Sequence, residues 1–255
     1  MTLHVPLGTL YGFLLVLARV AGFITFLPTP GLRTIPDMMR VVLALAVTFA
    51  LAPVWPALPS ILPTIGQLAA WAFLEAGLGL AIGLAVTFLT ESFQLAAQVL
   101  GLQAGYGYST TIDPNSQADA GMLQVMTALV SGLLFLALGL DRELFRVLAA
   151  SFGKFPAGAW APSTANLDAI VRLGSSMFSL GLRLAFPVVA LLLLLDISLA
   201  VLGRMQQQLQ LLSLAFPLKM LAALVLLASL APAFARTFED SARQTLAVLW
   251  RSLAA

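Results

Sequence analysis

Long runs of apolar residues, separated by short polar or proline-rich stretches, decide what this sequence can fold into. A helix that crosses the hydrocarbon core of a bilayer needs about 20 predominantly apolar residues. Most of the runs reach that length, so their hydropathy predicts about six membrane spans and an all-α fold. The runs are Leu7 to Leu27, Val41 to Leu51, Leu68 to Leu89, Met122 to Leu140, Met177 to Leu202 and Leu209 to Ala231.

The composition agrees with surroundings that are themselves apolar. Of the 255 residues, 60% are hydrophobic and 9% are charged, whereas soluble domains carry about 25% charged residues. We therefore predict a hydrophobic, membrane-associated helical subunit, or one that is buried in a larger assembly. The formal net charge is +2, and the basic residues form no stripe that would bind nucleic acid.

Catalysis and cofactor binding are not expected from this set of side chains. The sequence contains no cysteine, which excludes disulfides and thiolate chemistry. Its one histidine, His4, lies near the N-terminus, so neither a histidine-rich metal site nor a catalytic triad is available. We predict that the protein is not an enzyme and needs no cofactor.

An arginine, Arg19, lies in the middle of the first apolar run, and Arg33 and Arg40 follow it. An arginine inside a span costs several kcal/mol unless it is paired or hydrated. We interpret Arg19 as a contact with another subunit or with a pore. The alternative is an intrachain partner, such as Glu75, Asp196 or the carbonyl groups at a helix end.

Two neighbouring stretches differ in their proline content. The run from Val41 to Leu51 is short and is followed by a series of prolines, which predicts a stiff connection. The segment from Gln67 to Ala104 has no proline and would form a helix of about 57 Å. Since a bilayer core is about 30 Å thick, this helix either breaks or projects beyond the lipid.

Glycines in that segment fall on one side of the predicted helix. Gly79 and Gly83 form one GxxxG pair, and Gly101 and Gly105 form another. Because glycine lets two helices approach closely, we predict a packing face that includes Gly79, Gly83 and Gly101.

A polar insert rich in glycine lies in the middle of the chain, within the stretch from Glu91 to Met122. It is about 17 residues long, and connections of this length are usually functional or disordered. Tyr106, Tyr108 and Ile112 argue against plain disorder, because a solvated linker has little use for such side chains.

Charges and prolines divide the second half of the chain. A mixed-charge segment from Asp141 to Lys154 predicts an interfacial or assembly-contact helix. Pro187 should kink its helix, and Phe216 to Lys219 should interrupt the last apolar run. Arg204 and Asp196 lie two turns apart, so direct pairing between them is not expected. After that interruption, the tail from Arg236 to Ala255 suggests an amphipathic helix.

Recognisable short motifs then occur in order along nearly the whole chain. They are Leu17-Ala18-Arg19-Val20, Leu51-Ala52-Pro53, Gly101-Leu102-Gln103, Asp113-Pro114, Ser151-Phe152, Phe186-Pro187-Val188, Gln208-Leu209 and Phe216-Pro217-Leu218-Lys219. In these residues the sequence resembles the FliR/SctT family of type III export-gate subunits. It departs from the family pattern at Ala104, Gln207 and Ala215, where methionine, proline and glycine are usual.

The resemblance implies one copy of this subunit, with long kinked helical hairpins, in a helical hetero-oligomeric export gate. The expected partners are FliP-type, FliQ-type, FlhB-type and FlhA-type subunits, the lipid bilayer and unfolded export substrates. The chain would be a single subunit whose portion at about 1–165 is FliP-like and whose portion at about 166–255 is FliQ-like. The expected location is the bacterial inner membrane at the flagellar basal body.

The resemblance also implies roles for individual residues. A loop between the middle helices would plug the closed pore, and the residues of that loop here are Gly105, Tyr106, Gly107, Tyr108, Ser109, Thr110, Thr111, Ile112, Asp113, Pro114, Asn115 and Ser116. Residues predicted to serve as buried charges or assembly contacts are Arg19, Arg33, Arg40, Asp196, Arg204, Phe216, Pro217 and Lys219.

Three alternatives compete with a flagellar pore subunit. An injectisome subunit of the SctT type is one, although Gly139 to Leu144 and the compact C-terminus favour the flagellar system. A secondary transporter would be expected to show an inverted internal repeat, which the sequence lacks. An intramembrane enzyme would need a clustered catalytic set, and Asp113, Asn115 and Asp119 imitate a calcium loop only in part.

The distribution of basic residues predicts the orientation of the chain. If the runs alternate across the membrane, most basic residues gather on the side that holds the C-terminus. The positive-inside rule then places that C-terminus in the cytoplasm. The residues on this side are Arg142, Arg146, Lys154, Arg172, Arg236, Arg243 and Arg251.

Overall fold

Seven α-helices account for nearly all of the residues that the structure, a computed structural model, describes. These residues are 7–27, 36–55, 63–106, 122–156, 158–161, 164–205 and 211–254. No strand occurs among them, which confirms the all-α prediction. The helices are α1 (Leu7–Thr25), α2 (Asp37–Ala50), α3 (Ile65–Ala104), α4 (Met122–Ala137), α5 (Leu140–Lys154), α6 (Thr164–Met205) and α7 (Leu211–Ala254).

Four of these helices, α1, α3, α6 and α7, are long and apolar enough to cross a membrane. The count rises to five if α4 and α5 together form one bent span. The prediction of about six spans is therefore too high. The reason lies in α2, which has 14 residues and extends about 21 Å at 1.5 Å per residue, short of a bilayer core.

The helix α3 runs without a break for 40 residues. Of the two outcomes expected for this segment, the unbroken helix is the one observed. The helix ends at Ala104, and the residue that follows, Gly105, has a φ of +86°. There the amide of Gly105 donates to the carbonyl of Leu102, and the amide of Tyr106 donates to that of Gly101. This is the Schellman pattern, in which a left-handed glycine closes the last helical turn.

The apolar run from Met122 to Leu140 does not form one straight helix. The chain turns by 65° between α4 and α5. Gly139 stands at the turn with a φ of +67°, a conformation that few residues other than glycine adopt without strain. The turn separates the apolar α4 from the mixed-charge α5, which covers the segment predicted to be a separate helix.

The last helix, α7, continues through the segment that was expected to interrupt it. Pro217 and Pro232 both lie inside its 44 residues, and Pro187 lies inside α6. The expected interruption at Phe216 to Lys219 is wrong. A proline removes one backbone donor and bends a helix, but in apolar surroundings the other backbone groups have no better partners than those of the same helix.

The chain divides into two compact units. The first comprises residues 1–89, 135–174 and 241–255, and the second comprises residues 90–134 and 175–240. In the first unit, the most deeply buried side chains include Leu15 and Phe23 of α1 and Leu144 and Leu148 of α5. In the second unit, Leu100 of α3, Val188 and Leu192 of α6, and Phe238 of α7 are buried to a similar degree.

Candidate functional site

Glycines bring α1 and α3 unusually close together in the first unit. A Cβ atom added to Gly79 would overlap the backbone carbonyl of Arg19, and one added to Gly83 would lie 2.7 Å from the carbonyl oxygen of Phe23. On the opposite helix, Gly22 meets the backbone of Ala76 in the same way. Two of the three glycines predicted to form a packing face thus lie against α1. The close approach places the side chains next to them within reach of each other.

The side chain of Arg19 uses this proximity to pair with Glu75. Its Nε donates to Glu75 Oε2 at 2.5 Å, and both side chains have no exposed surface. The structure therefore gives Arg19 an intrachain partner, which was the alternative to a contact with another subunit. Glu75 lies one turn before Gly79 on α3, so the same helix face supplies both the close approach and the carboxylate.

The remaining donors of Arg19 reach the end of α5. Its Nη1 donates to Ser151 Oγ at 2.9 Å and its Nη2 to the carbonyl of Phe155 at 2.8 Å. The guanidinium carbon lies 4.1 Å from the ring centroid of Phe152, in a cation–π contact. Ser151 in turn donates to the carbonyl of Leu148 at 2.6 Å. A buried arginine with all of these partners is well satisfied.

The second carboxylate oxygen of Glu75 holds the connection after α5. The amide of Gly158 donates to Glu75 Oε1 at 2.9 Å. Gly158 has a φ of +83°, and a Cβ there would come within 2.8 Å of the Trp71 ring. Glycine is therefore required at this position both by its backbone conformation and by space. The Arg19–Glu75 pair, with Ser151, Phe155 and Gly158, ties α1, α3, α5 and the following turn together.

A second ionic contact lies in the other unit, between three different helices. Lys219 of α7 donates from Nζ to Asp196 of α6, at 2.9 Å to Oδ1 and 3.0 Å to Oδ2. Gln103, near the end of α3, donates from Nε2 to Asp196 Oδ2 at 3.2 Å. We call Gln103, Asp196 and Lys219 the Asp196 clamp. One carboxylate thereby links α3, α6 and α7.

The residues that follow Gln103 also contact α7. The hydroxyl of Tyr106 donates to the carbonyl of Met220 at 3.2 Å, and burial raises the pKa of this hydroxyl. A Cβ added to Gly105 would lie 2.9 Å from the ring of Phe216. The turn of α7 from Phe216 to Met220 thus contacts the end of α3 at successive positions.

Other residues predicted for the site lie apart from these clusters or outside the described part of the chain. Arg40 on α2, Arg204 at the end of α6 and Pro217 on α7 are exposed, and Gly101 is buried near the end of α3. Gly107, Tyr108, Ser109, Thr110, Thr111, Ile112, Asp113, Pro114, Asn115, Ser116 and Arg33 are outside the described residues.

Several members of the two clusters were not predicted as site residues. Glu75 was named only as a possible partner of Arg19, and Ser151 and Gly158 belong to stretches that resemble the family but were assigned no role. Gln103 and Asp196 are separated by 93 residues, so only the tertiary structure brings them together. In the part of the chain that the structure describes, no three acidic, histidine or cysteine residues could hold a metal ion.

These features define an α-helical integral membrane protein with ionic contacts between its apolar helices. A family model described as "Bacterial export proteins, family 1" matches residues 10–245. The chain belongs to this family.

Individual relatives agree with the family. Flagellar biosynthetic protein FliR of Escherichia coli (strain K12) is 32% identical over 220 residues, covering 86% of this chain and 84% of the relative. The protein of the same name from Caulobacter vibrioides is 25% identical over 91% of this chain and 93% of its own length. The protein of the same name from Aquifex aeolicus is 26% identical over 82% of this chain and 81% of its own length. The family that the sequence motifs indicated is confirmed, and this chain is a membrane component of flagellar protein export.

Proposed function

We propose that this chain is a core pore subunit of the flagellar type III export gate. In this proposal it forms, with FliP-type and FliQ-type subunits, the channel through which unfolded flagellar proteins leave the cytoplasm. FlhA-type and FlhB-type subunits are further partners on the route. The role is structural and gating, without a catalytic step.

The observation that carries the proposal is the apolar surface that the chain leaves uncovered. Only 22% of the apolar stretch of α6 and 6% of that of α7 are buried within the chain, against 44% for α1 and α3. Large side chains such as Phe186, Leu194 and Leu221 are more than half exposed. Such surface requires lipid or other apolar helices as its neighbours.

Partner helices account for this surface better than lipid alone. The Asp196 clamp lies between α6 and α7, and Asp196 retains 38% exposure. A carboxylate directed at hydrocarbon is costly, and intramembrane charges face protein or water. In a pore complex, neighbouring subunits would cover the apolar surface while the polar edge would face protein or the channel.

The test is co-expression with and without the two partners. The chain is expected to aggregate or be degraded when produced alone, and to become monodisperse when FliP-type and FliQ-type subunits are present. The measurement is size-exclusion chromatography of the detergent-solubilised material, with a matched mass determination. A folded, monodisperse monomer whose behaviour does not change with the partners would refute the pore-subunit proposal.

The loop after α3 is the proposed plug of the closed pore. Gly105 and Tyr106, the two residues that follow α3, contact α7 through Phe216 and Met220, which supports a fixed starting point for the proposed plug. Deleting residues 107–111 should leave the complex assembled and increase the leakage of small ions across the membrane. If the complex with this deletion assembles and stays as tight as the parent, the plug assignment is wrong.

The proposed location is the inner membrane, with the C-terminus in the cytoplasm. A reporter enzyme that is active only in the periplasm, fused after the last residue, should be inactive. The same reporter fused to a known periplasmic segment of a partner provides the positive control. Activity of the C-terminal fusion would reverse the assigned orientation.

A further inference from the structure

The Asp196 clamp is both paired and partly exposed, although Asp196 lies in an apolar helix. Its charges are paired, with Asp196 accepting from both Lys219 and Gln103, yet the Asp196 side chain remains 38% exposed and that of Lys219 14% exposed. Asp196 lies within a helix that is long and apolar enough to cross a membrane. Because a carboxylate in such a helix is costly against lipid and is expected to meet water or polar protein, we infer that the exposed edge of the clamp faces away from lipid.

The clamp also lies directly beside the contacts that hold the end of α3. Gln103 is followed by Gly105, which meets the ring of Phe216, and by Tyr106, which donates to the carbonyl of Met220. Lys219 stands between Phe216 and Met220 in the sequence of α7. The same turn of α7 therefore holds the charge pair and the first two residues after α3.

We propose that the Asp196 clamp faces the aqueous path of the export gate and holds Gly105 and Tyr106 against α7 in the closed conformation. This inference rests on the proposed pore function and assigns Gln103, Asp196 and Lys219 as positioning residues for it. Separating α3 from α6 and α7 breaks the hydrogen bonds of the clamp. The charges of Asp196 and Lys219, which no longer pair with each other, must then be hydrated by water. Opening is therefore coupled to the entry of water at this position.

The first experiment measures ion leakage through the complete gate complex in membrane vesicles. Asp196→Asn and Lys219→Met each remove one charge of the clamp. Losing one charge of this partly screened pair shifts a two-state equilibrium up to about fivefold toward the other state. Both variants should therefore leak up to about fivefold more than the parent, while Glu143→Gln, which removes an exposed ion pair on α5, should leak no more than the parent.

A double variant covers the case in which a single unpaired charge prevents assembly. Asp196→Leu combined with Lys219→Met leaves no lone charge, so the complex is expected to assemble. It should nevertheless leak, because the polar link between the three helices is gone. An assembled double variant that remains as tight as the parent overturns the inference.

The second experiment tests which environment the clamp faces. The chain contains no cysteine, so an introduced thiol is the only one that this chain contributes, and the complex with the unsubstituted chain gives the background from its partners. Asp196→Cys should react with the charged reagent methanethiosulfonate ethylsulfonate, and the sulfonate it adds should reduce the leak by restoring an anion near Lys219. Ile197→Cys, an exposed apolar position on the same helix, is the control. An Asp196→Cys thiol that reacts no faster than the Ile197→Cys thiol contradicts the assignment to the aqueous path.

The loop deletion separates failure of this inference from failure of the proposed function. If deletion of residues 107–111 causes leakage and the assembled clamp variants do not, the pore proposal stands and the clamp has no part in closure. If neither the deletion nor the clamp variants leak in assembled complexes, the plug assignment and the clamp inference are both wrong, and the co-expression experiment decides the pore-subunit proposal separately.

Discussion

The described residues of each unit include an ionic contact between helices, and the chain encloses these two contacts to very different degrees. In the first unit, Arg19 and Glu75 have no exposed surface. In the second, Lys219 and Asp196 keep 14% and 38% of their side chains exposed. Both contacts join helices that are distant in the sequence.

The difference lies in what would happen if each contact opened. The Nε, Nη1 and Nη2 groups of Arg19 donate hydrogen bonds to Glu75, Ser151 and the carbonyl of Phe155. Water could replace these three acceptors only if α1 and α3 came apart. The Asp196 clamp has an exposed edge, through which water reaches both charges in the proposed gate. An enclosed pair fixes one arrangement of its helices, whereas a partly exposed pair permits a second arrangement at moderate cost.

The largest effect is expected at the enclosed pair. Arg19→Leu leaves Glu75 buried without its cationic partner, and breaking a buried pair in this way costs about 3–5 kcal/mol. The amount of chain in membranes that contain its partners should fall sharply, as measured by quantitative immunoblotting. Arg19→Leu combined with Glu75→Leu should recover part of the loss, because neither charge is then stranded. Equal amounts of the parent and the Arg19→Leu chain would show that the pair is not required.

The next effect concerns the close packing that makes the enclosed pair possible. Gly79→Ala places a methyl group into the backbone of Arg19 and forces α1 and α3 apart, at a cost of about 1–3 kcal/mol. The thermal midpoint of the purified complex should fall. Gly66→Ala, on the same helix with nothing within 4 Å of the added Cβ, is the control and should not lower it. If the two alanine variants have similar thermal midpoints, the close approach of α1 and α3 at Gly79 does not contribute to the stability of the complex.

A smaller change in stability is expected at the Asp196 clamp. Asparagine can still accept hydrogen bonds from Lys219 and Gln103, and the partly exposed site is screened, so Asp196→Asn should cost about 1 kcal/mol or less. The thermal midpoint should move less than in Arg19→Leu, while ion leakage should rise more than in any variant of the enclosed pair that assembles. A midpoint as low as that of Arg19→Leu would mean that the two contacts are equivalent structural pairs.

The smallest effect is expected at an ion pair outside both clusters. Arg146 and Glu143 pair on α5 with side chains that are 69% and 35% exposed. Such exposed pairs contribute little, so Glu143→Gln should leave the thermal midpoint, the amount of assembled complex and the leakage unchanged. A clear defect in assembly would instead indicate that α5 uses Glu143 to contact another subunit.

Much of the fold follows from local features of the sequence. The apolar runs locate α1, α3, α6 and α7, because a chain in apolar surroundings must satisfy its backbone within helices. Gly79 and Gly83 were predicted as sites of close packing from their spacing alone. The predicted number of spans was too high because a hydropathy count includes every apolar run, even one whose helix is too short to cross a bilayer. The helix α2, with 14 residues, is such a case. The interruption expected at Phe216 to Lys219 was wrong because proline weakens a helix locally, while its surroundings decide whether the helix continues.

The amino-acid sequence by itself determined the helical membrane class, the family and the presence of charges that need partners. The tertiary structure decided which partners they find. Arg19 had three kinds of candidate partner in the sequence, and the approach of α1 to α3 selects Glu75, 56 residues away. Asp196 likewise meets Lys219 and Gln103 instead of Arg204 on its own helix. Hydropathy and helical spacing act over one or two turns, whereas the pairing of charges depends on how separate helices pack, and only the folded chain fixes that.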